Sequence, residues 1–210
     1  MTDPTSLIPI SDEQAKLGQK ALEVLQGVGS FLREIFGTVP EDLVGYFGGD
    51  LLKVRRAENV ARIVQEASKR LEARGIHTPE PPSISILLPI LVASAEESRD
   101  ELVDIWARLL AAAADPARAK SFRLAFIETA KKMDPLDAAV LQGVHAVGGA
   151  VTGQNRNTLA EQLHASRDEI DVSVANLLKL ELVYSSRPES TSAPTSITPF
   201  GREFLRAISN

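Results

Sequence analysis

Apolar residues recur along this chain with the period of a helix. The clearest case is residues 97–116, E-S-R-D-E-L-V-D-I-W-A-R-L-L-A-A-A-A-D-P. Leu102, Ile105, Trp106, Leu109, Leu110 and Ala113 fall at i, i+3, i+4, i+7, i+8 and i+11, one face of a 3.6-residue helix. Arg99, Asp100, Asp104 and Arg108 occupy the opposite face, with Asp104 and Arg108 one turn apart. Asp115-Pro116 stops the helix, and Ser94-Ala95-Glu96-Glu97 reads as a capping box that starts it.

The same reading extends in both directions. Residues 1–10 form a polar, proline-bearing lead-in. Ser11-Asp12-Glu13-Gln14 is a second capping box, opening a helix to about Phe36 along Leu22, Leu25, Val28, Leu32, Ile35 and Phe36. Gly27 and Gly29 each weaken it by about 1 kcal/mol relative to alanine. Gly37 ends it, and Pro40 opens a short helix that Gly48-Gly49 breaks. Residues 51–74 form a longer helix with Val54, Ala57, Ala61, Val64, Ala67 and Leu71 inward, stopped by Gly75. H-T-P-E-P-P at 77–82 is a stiff linker. Ile84–Val92 is apolar nearly all round, as in a buried helix or a buried extended segment. Residues 117–132 give a further helix with Phe122, Phe126, Thr129 and Ala130 on one face. No strand-like alternation precedes residue 180.

The last third changes character. Asp134-Pro135 starts a helix to about Val147, and residues 148–157 read as a loop. Asn157 or Thr158 caps T-L-A-E-Q-L, the turn H-A-S follows, and a helix runs from Arg167 to Leu180. Leu182–Ser185 and Thr195–Thr198 are short strands around a Ser/Pro/Thr-rich loop, and a final helix begins at Pro199. Two short strands after a helix-turn-helix is the winged-helix order. The expected fold is therefore mostly α: a helical domain over 1–132, then a winged-helix-like domain over 133–210.

Composition narrows the function classes. The chain has 210 residues, a net charge of −5 and no cysteine. Disulfides, thiolate catalysis and cysteine-based metal sites are excluded. An acidic balance argues against a protein that grips nucleic acid. The first thirty residues show no secretory signal pattern. The longest apolar run, Ile84–Ala93, is about half of the roughly 20 residues a bilayer span needs. A soluble, cytoplasmic protein is expected.

No spacing here spells out a reaction. G-x-x-x-x-G-K-[ST], H-E-x-x-H, G-x-S-x-G and G-x-G-x-x-G are all missing. Gly45-Tyr46-Phe47-Gly48-Gly49 neither follows a strand nor carries a lysine, so it reads as a helix break. His77, His145 and His164 lie far apart without ligand-spaced partners; His145, on the Leu141/Val144 side of its helix, reads as a satisfied, partly buried histidine. Glu96, Glu97, Asp100, Glu101 and Asp104 occupy a helix start, where negative charge suits the dipole. Asp134 and Asp137 are an N-cap and its N3 acid. No catalytic residue, metal or cofactor is expected.

Three surfaces remain as contact candidates. Lys53, Arg55, Arg56, Arg62, Lys69, Arg70 and Arg74 outweigh the acids of their helix and could meet phosphates or an anionic membrane surface, with a solvated face as the ordinary reading. Phe31, Phe36, Tyr46 and Phe47 could enter a membrane interface or a partner groove, with core packing as the default. In the winged helix, Asp168, Glu169 and Asp171 stand where the recognition helix would meet phosphates, and Arg187 is the one basic residue well placed for a groove. Residues 134–210 hold six Lys+Arg against nine Asp+Glu, a balance of −3. This module is expected to pack on the helical domain or a protein partner and not to read DNA.

Three stretches carry a family resemblance: E-L-V-D-I-W-A-R-L-L-A-A-A-A-D-P at 101–116, M-D-P-L-D-A-A-V-L at 133–141 and I-T-P-F-G-R-E-F-L at 197–205. Together they resemble the Abi-alpha (abortive infection alpha) family of bacterial phage-defence proteins over roughly residues 55–208. The resemblance implies a bacterial cytoplasmic protein of antiviral immunity and carries over no catalytic residue. Its motif residues Leu102, Trp106, Leu109, Leu110, Asp115, Pro116, Asp134, Pro135, Asp137, Pro199 and Gly201 are expected to be structural. The expected function is non-enzymatic recognition of a phage component or of a second defence protein, with a homo-oligomer compatible. The alternatives are a winged-helix DNA-binding regulator and a membrane-acting effector peripheral to the bilayer.

Overall fold

A computed structural model describes residues 51–187 and 193–209, together with Gln26, Gly29 and Arg33; for residues 51–54 and 151 it describes the backbone alone. Of the helices expected before residue 50, Gln26, Gly29 and Arg33 are described as helical and the rest lies outside the described residues. Within them the chain is mostly helical: α1 Leu51–Ala73, α2 Ile84–Ala95, α3 Asp100–Ala114, a 3-10 turn Ala119–Ser121, α4 Leu124–Ala130, α5 Pro135–Ala146, β1 Ala150–Val151, α6 Gly153–Gln162, α7 Arg167–Lys179, β2 Val183–Ser185, β3 Thr195–Ile197 and α8 Pro199–Ile208.

Among the described residues, the Trp106 helix, α3, is the central element. Eleven of its fifteen residues are buried, a wider face than the predicted stripe. The reason is that α1 and α2 pack on it together with α4, α5 and α8. Ala111–Ala114 form a ridge of small side chains, so neighbours on several sides can come close. On α1, Ala57, Val60, Ile63, Val64, Ala67 and Leu71 are buried, while Ala61 is half-buried. Gly75, at φ +72°, ends α1: its N–H bonds Glu72 O at 2.8 Å and that of Ile76 bonds Leu71 O at 2.9 Å. These are the two bonds of a Schellman cap.

The structure decides between the two readings of residues 84–92 in favour of a helix, with Pro89 inside it. The expected capping box at Ser94–Glu97 does not form. The apolar run carries α2 through Ala95, so Ser94 is buried within that helix and its hydroxyl donates to Leu91 O at 3.2 Å. Glu97 instead folds its carboxylate over the start of the next helix. It accepts from the Ser98 and Arg99 N–H groups at 3.0 Å each, and from the Arg99 guanidinium at 2.9 Å.

Two further expectations are corrected. Residues 117–132 are not one helix, because Asp115 turns the chain sharply: its carboxylate accepts from Ala117 N–H at 2.9 Å and its carbonyl from Arg118 and Ala119. Regular helix resumes only at Leu124. Residues 148–157 are not a loop, and a strand does precede residue 180. Gly148 and Gly149, at φ +90° and +83°, swing the chain out of α5 into β1, and α6 then starts after Thr152 and not at Asn157 or Thr158. A two-residue strand has no alternation to detect, and β1 exists only through its pairing with β3.

The sheet is antiparallel in the order β1-β3-β2, with Ala150 opposite Ser196 and Val183 opposite Ile197. α6 and α7 end on non-glycine left-handed residues, His164 at φ 52° and Glu181 at φ 57°. Finally, α8 returns to the first helices. Phe200 and Phe204 place their rings 5.7 and 5.8 Å from that of Phe126 in α4. One continuous cluster of buried apolar residues runs from Ala57 to Ile208, across residue 132.

Candidate functional site

The motif residues lie mostly inside the protein. Leu102, Trp106, Leu109 and Leu110 are at most 2 % exposed. Asp115 is also buried. It holds Arg74 at 3.4 Å and Arg118 at 3.5 Å, while Pro116 is exposed just past the helix end. Asp137 is buried, accepting from Asp134 N–H at 2.8 Å and from the Asn176 side chain at 2.6 Å, so the start of α5 is tied to α7. Asp134 is exposed and takes Arg99 at 3.0 Å. Pro199 opens α8 behind Thr198, whose hydroxyl accepts from Gly201 N–H at 2.8 Å and donates to Glu181 O at 2.6 Å. Gly201 is where α8 passes over the chain: a Cβ there would stand 2.0 Å from Leu182 O.

The cationic helix face is largely engaged with neighbouring helices. Arg56 pairs with Glu96 at 2.8 Å and Arg62 with Asp100 at 2.7 Å, while Lys69 pairs with Glu66 at 2.8 Å within α1. The Lys69 hydrogen bond holds the Glu66 carboxyl below its usual range. Arg70 and Arg108 share Asp104 between α1 and α3. Arg55 is exposed, and the Lys53 side chain lies outside the description. Exposed pairs of this kind each contribute at most about 1 kcal/mol. Phe31, Phe36, Tyr46 and Phe47 also lie outside the described residues.

At the start of α7, Asp171 is not a free surface acid. It accepts from Arg156 at 2.8 Å and from Arg167 at 3.1 Å. Asp168 and Glu169 remain exposed. Glu169 accepts from Ser166 N–H at 2.7 Å, and that bond holds its carboxyl below the usual range. Arg187 is exposed. The expectation of a partly buried histidine is not met: His77, His145 and His164 are all exposed. For His145, the helix face that buries Leu141 and Val144 turns away before reaching it.

A hollow of about 630 Å³ lies between α3, α5 and α8. Arg108, Gln142, His145, Arg202, Leu205, Arg206, Ile208 and Ser209 line it. Sequence reading passed over Arg202 and Arg206, although their i, i+4 spacing placed them on one face of the last helix. What it could not show is that α8 docks beside Arg108. A shallower hollow of about 570 Å³ lies over Leu178, Val183, Tyr184, Pro199 and Phe200. Among the described residues, no three His, Asp or Glu side chains are grouped to hold a metal ion, and no helix is long and apolar enough to cross a membrane.

The family model described as abortive infection alpha matches residues 55–208, from the first turns of α1 to the end of α8. No curated protein and no solved structure matches the chain.

Proposed function

The chain belongs to the abortive infection alpha family, and from that premise we propose that it is a bacterial anti-phage defence protein acting without catalysis, by recognising a phage component or a second defence protein. The observation that carries the non-enzymatic reading is the burial of the motif. Leu102, Trp106, Leu109, Leu110, Asp115 and Asp137 build the core and its turns, which supports reading the motif as a framework.

The helix-strand-helix-helix-ribbon order from α5 to β3 supports reading residues 133–210 as winged-helix-like. Exposed Asp168 and Glu169 at the first turn of α7 oppose a duplex phosphate backbone there. Val172 of α7 is 70 % exposed and Tyr184 of β2 is 55 % exposed, an apolar character that suits a protein partner better than DNA. The ion pairing of Arg56, Arg62 and Lys69 weakens the case for an anionic membrane surface. A cytoplasmic location is part of this proposal.

The test is phage plating on a sensitive bacterial host carrying the chain with its neighbouring genes. The expected result is fewer plaques with the wild type, and loss of protection with Tyr184→Asp at unchanged thermal stability. Unaltered plating across a broad phage panel would refute the defence role. Protection that depends on turnover of a nucleotide or nucleic acid by the purified protein would refute the non-catalytic one.

A further inference from the structure

The hollow between α3, α5 and α8 concentrates positive charge in an acidic protein. The chain carries −5 overall, yet among the described residues the ionisable side chains lining this space are Arg108, Arg202, Arg206 and His145, with no carboxylate beside them. Two of these arginines pair with acids outside the lining: Asp104 accepts from Arg108 Nε at 2.6 Å, and Glu203 from Arg206 Nη1 at 2.9 Å. Arg202 is anchored by one bond, Nη1 to Ile197 O at 3.1 Å. A guanidinium carries five N–H donors in a fixed fork, and the bonds named for Arg202 and Arg206 use only Nη1 of each.

The end of α8 brings negative carbonyl dipoles toward the same space, which would disfavour an anion. Three arginines of the first helices and their turn answer them. Arg108 donates to Ile208 O at 3.0 Å, Arg74 to Ser209 O at 2.7 Å, and Arg118 to Arg206 O and Ser209 O at 3.1 Å each. The apolar part of the wall is Leu205 and Ile208, and the Gln142 amide adds hydrogen-bonding capacity. A volume of about 630 Å³ lies within the range of small-molecule sites.

We propose that this cleft binds a small phosphate-bearing anion with a flat apolar moiety, of the size and chemistry of a nucleoside phosphate. Arg202, Arg206 and His145 take the phosphate, and the apolar wall with the Gln142 amide takes the base. The site does not depend on the defence role, so either can fail alone.

Calorimetry of the full chain with AMP, ATP, GTP and inorganic phosphate tests it, alongside flotation with vesicles containing anionic lipid. The expected result is saturable 1:1 binding of at least one nucleotide, at least about tenfold tighter than inorganic phosphate. Arg202→Gln with Arg206→Gln should weaken that binding by about tenfold or more at unchanged melting temperature, because both side chains are on the surface. His145→Ala should weaken it less. No binding of any nucleotide up to about 1 mM, binding indifferent to the double substitution, or capture by anionic vesicles alone would each overturn the proposal.

Discussion

Arg156 of α6 donates to Asp171 of α7 over 2.8 Å while being itself only 2 % exposed, so a guanidinium stands within the core of the second half. Its other terminal nitrogen reaches Ala193 O at 3.1 Å and Thr195 Oγ1 at 2.8 Å, at the entry to β3. One side chain therefore joins two helices and the ribbon. Burying a cation is costly unless it is paired and hydrogen-bonded. Here the two terminal nitrogens meet both conditions, through Asp171 on one and through Ala193 O and Thr195 on the other.

Arg156→Ala should lower stability by about 3 kcal/mol, since it leaves a cavity, takes the buried donor from Thr195 and leaves Asp171 with Arg167 alone. Arg156→Lys should not restore it, because an ammonium lacks the fork that reaches three partners. Asp171→Asn should cost less, as that carboxylate is partly open to water. Urea denaturation measures all three, and a cost near zero for Arg156→Ala would show that the contacts carry no net stability.

Trp106 is the only tryptophan and is 2 % exposed. Its emission should be blue-shifted and shielded from acrylamide until the protein unfolds. Trp106→Ala should cost about 3–5 kcal/mol through the cavity it leaves. A water-like emission maximum in the native state would contradict its placement.

Gly201→Ala offers a test by sign. In an open helix the substitution stabilises by about 1 kcal/mol. Here the added methyl meets the Leu182 carbonyl, a backbone atom that cannot rotate aside. The expected outcome is a loss of about 2–3 kcal/mol. A rise in melting temperature would mean that α8 can retreat freely from Leu182.

Glu97 predicts the acid limb of stability. Burial works against its ionised form, but hydrogen bonds from the Arg99 side chain and from the Arg99 and Ser98 backbone outweigh it, and its pKa lies below the usual 4.5. The unfolded chain therefore binds the proton more readily. The stabilisation is fully present above about pH 4.5 and is lost as pH falls through the lower folded-state value. Glu97→Gln should flatten the fall of urea midpoints below that pH and leave its full, pH-independent loss above it. A variant whose acid limb matches the wild type would remove Glu97 from the cause.

The candidate cleft was legible only in pieces. Arg108 stood out as the i, i+4 partner of Asp104, while Arg202 and Arg206 lay unremarked within a motif noticed for its Pro199 and Gly201. Nothing local connects residue 108 with residue 206. Their meeting follows from the seating of Phe200 and Phe204 on Phe126, which turns α8 back against α3. His145 was misread for a related reason: helical period tells which side of α5 is apolar, but not where neighbouring elements stop covering it.

The sequence by itself determined the helices with strong apolar period, the Gly75 and Asp134–Asp137 ends, the β2–β3 ribbon and the family motifs. These depend on backbone propensity and on residues within a turn or two of each other. Tertiary structure alone decided that Ala150–Val151 becomes a strand, that Arg156 is a core residue and that four basic side chains share one hollow. Each of these rests on partners 15 to 100 residues away, and a chain's local pattern holds no record of which distant face will cover it.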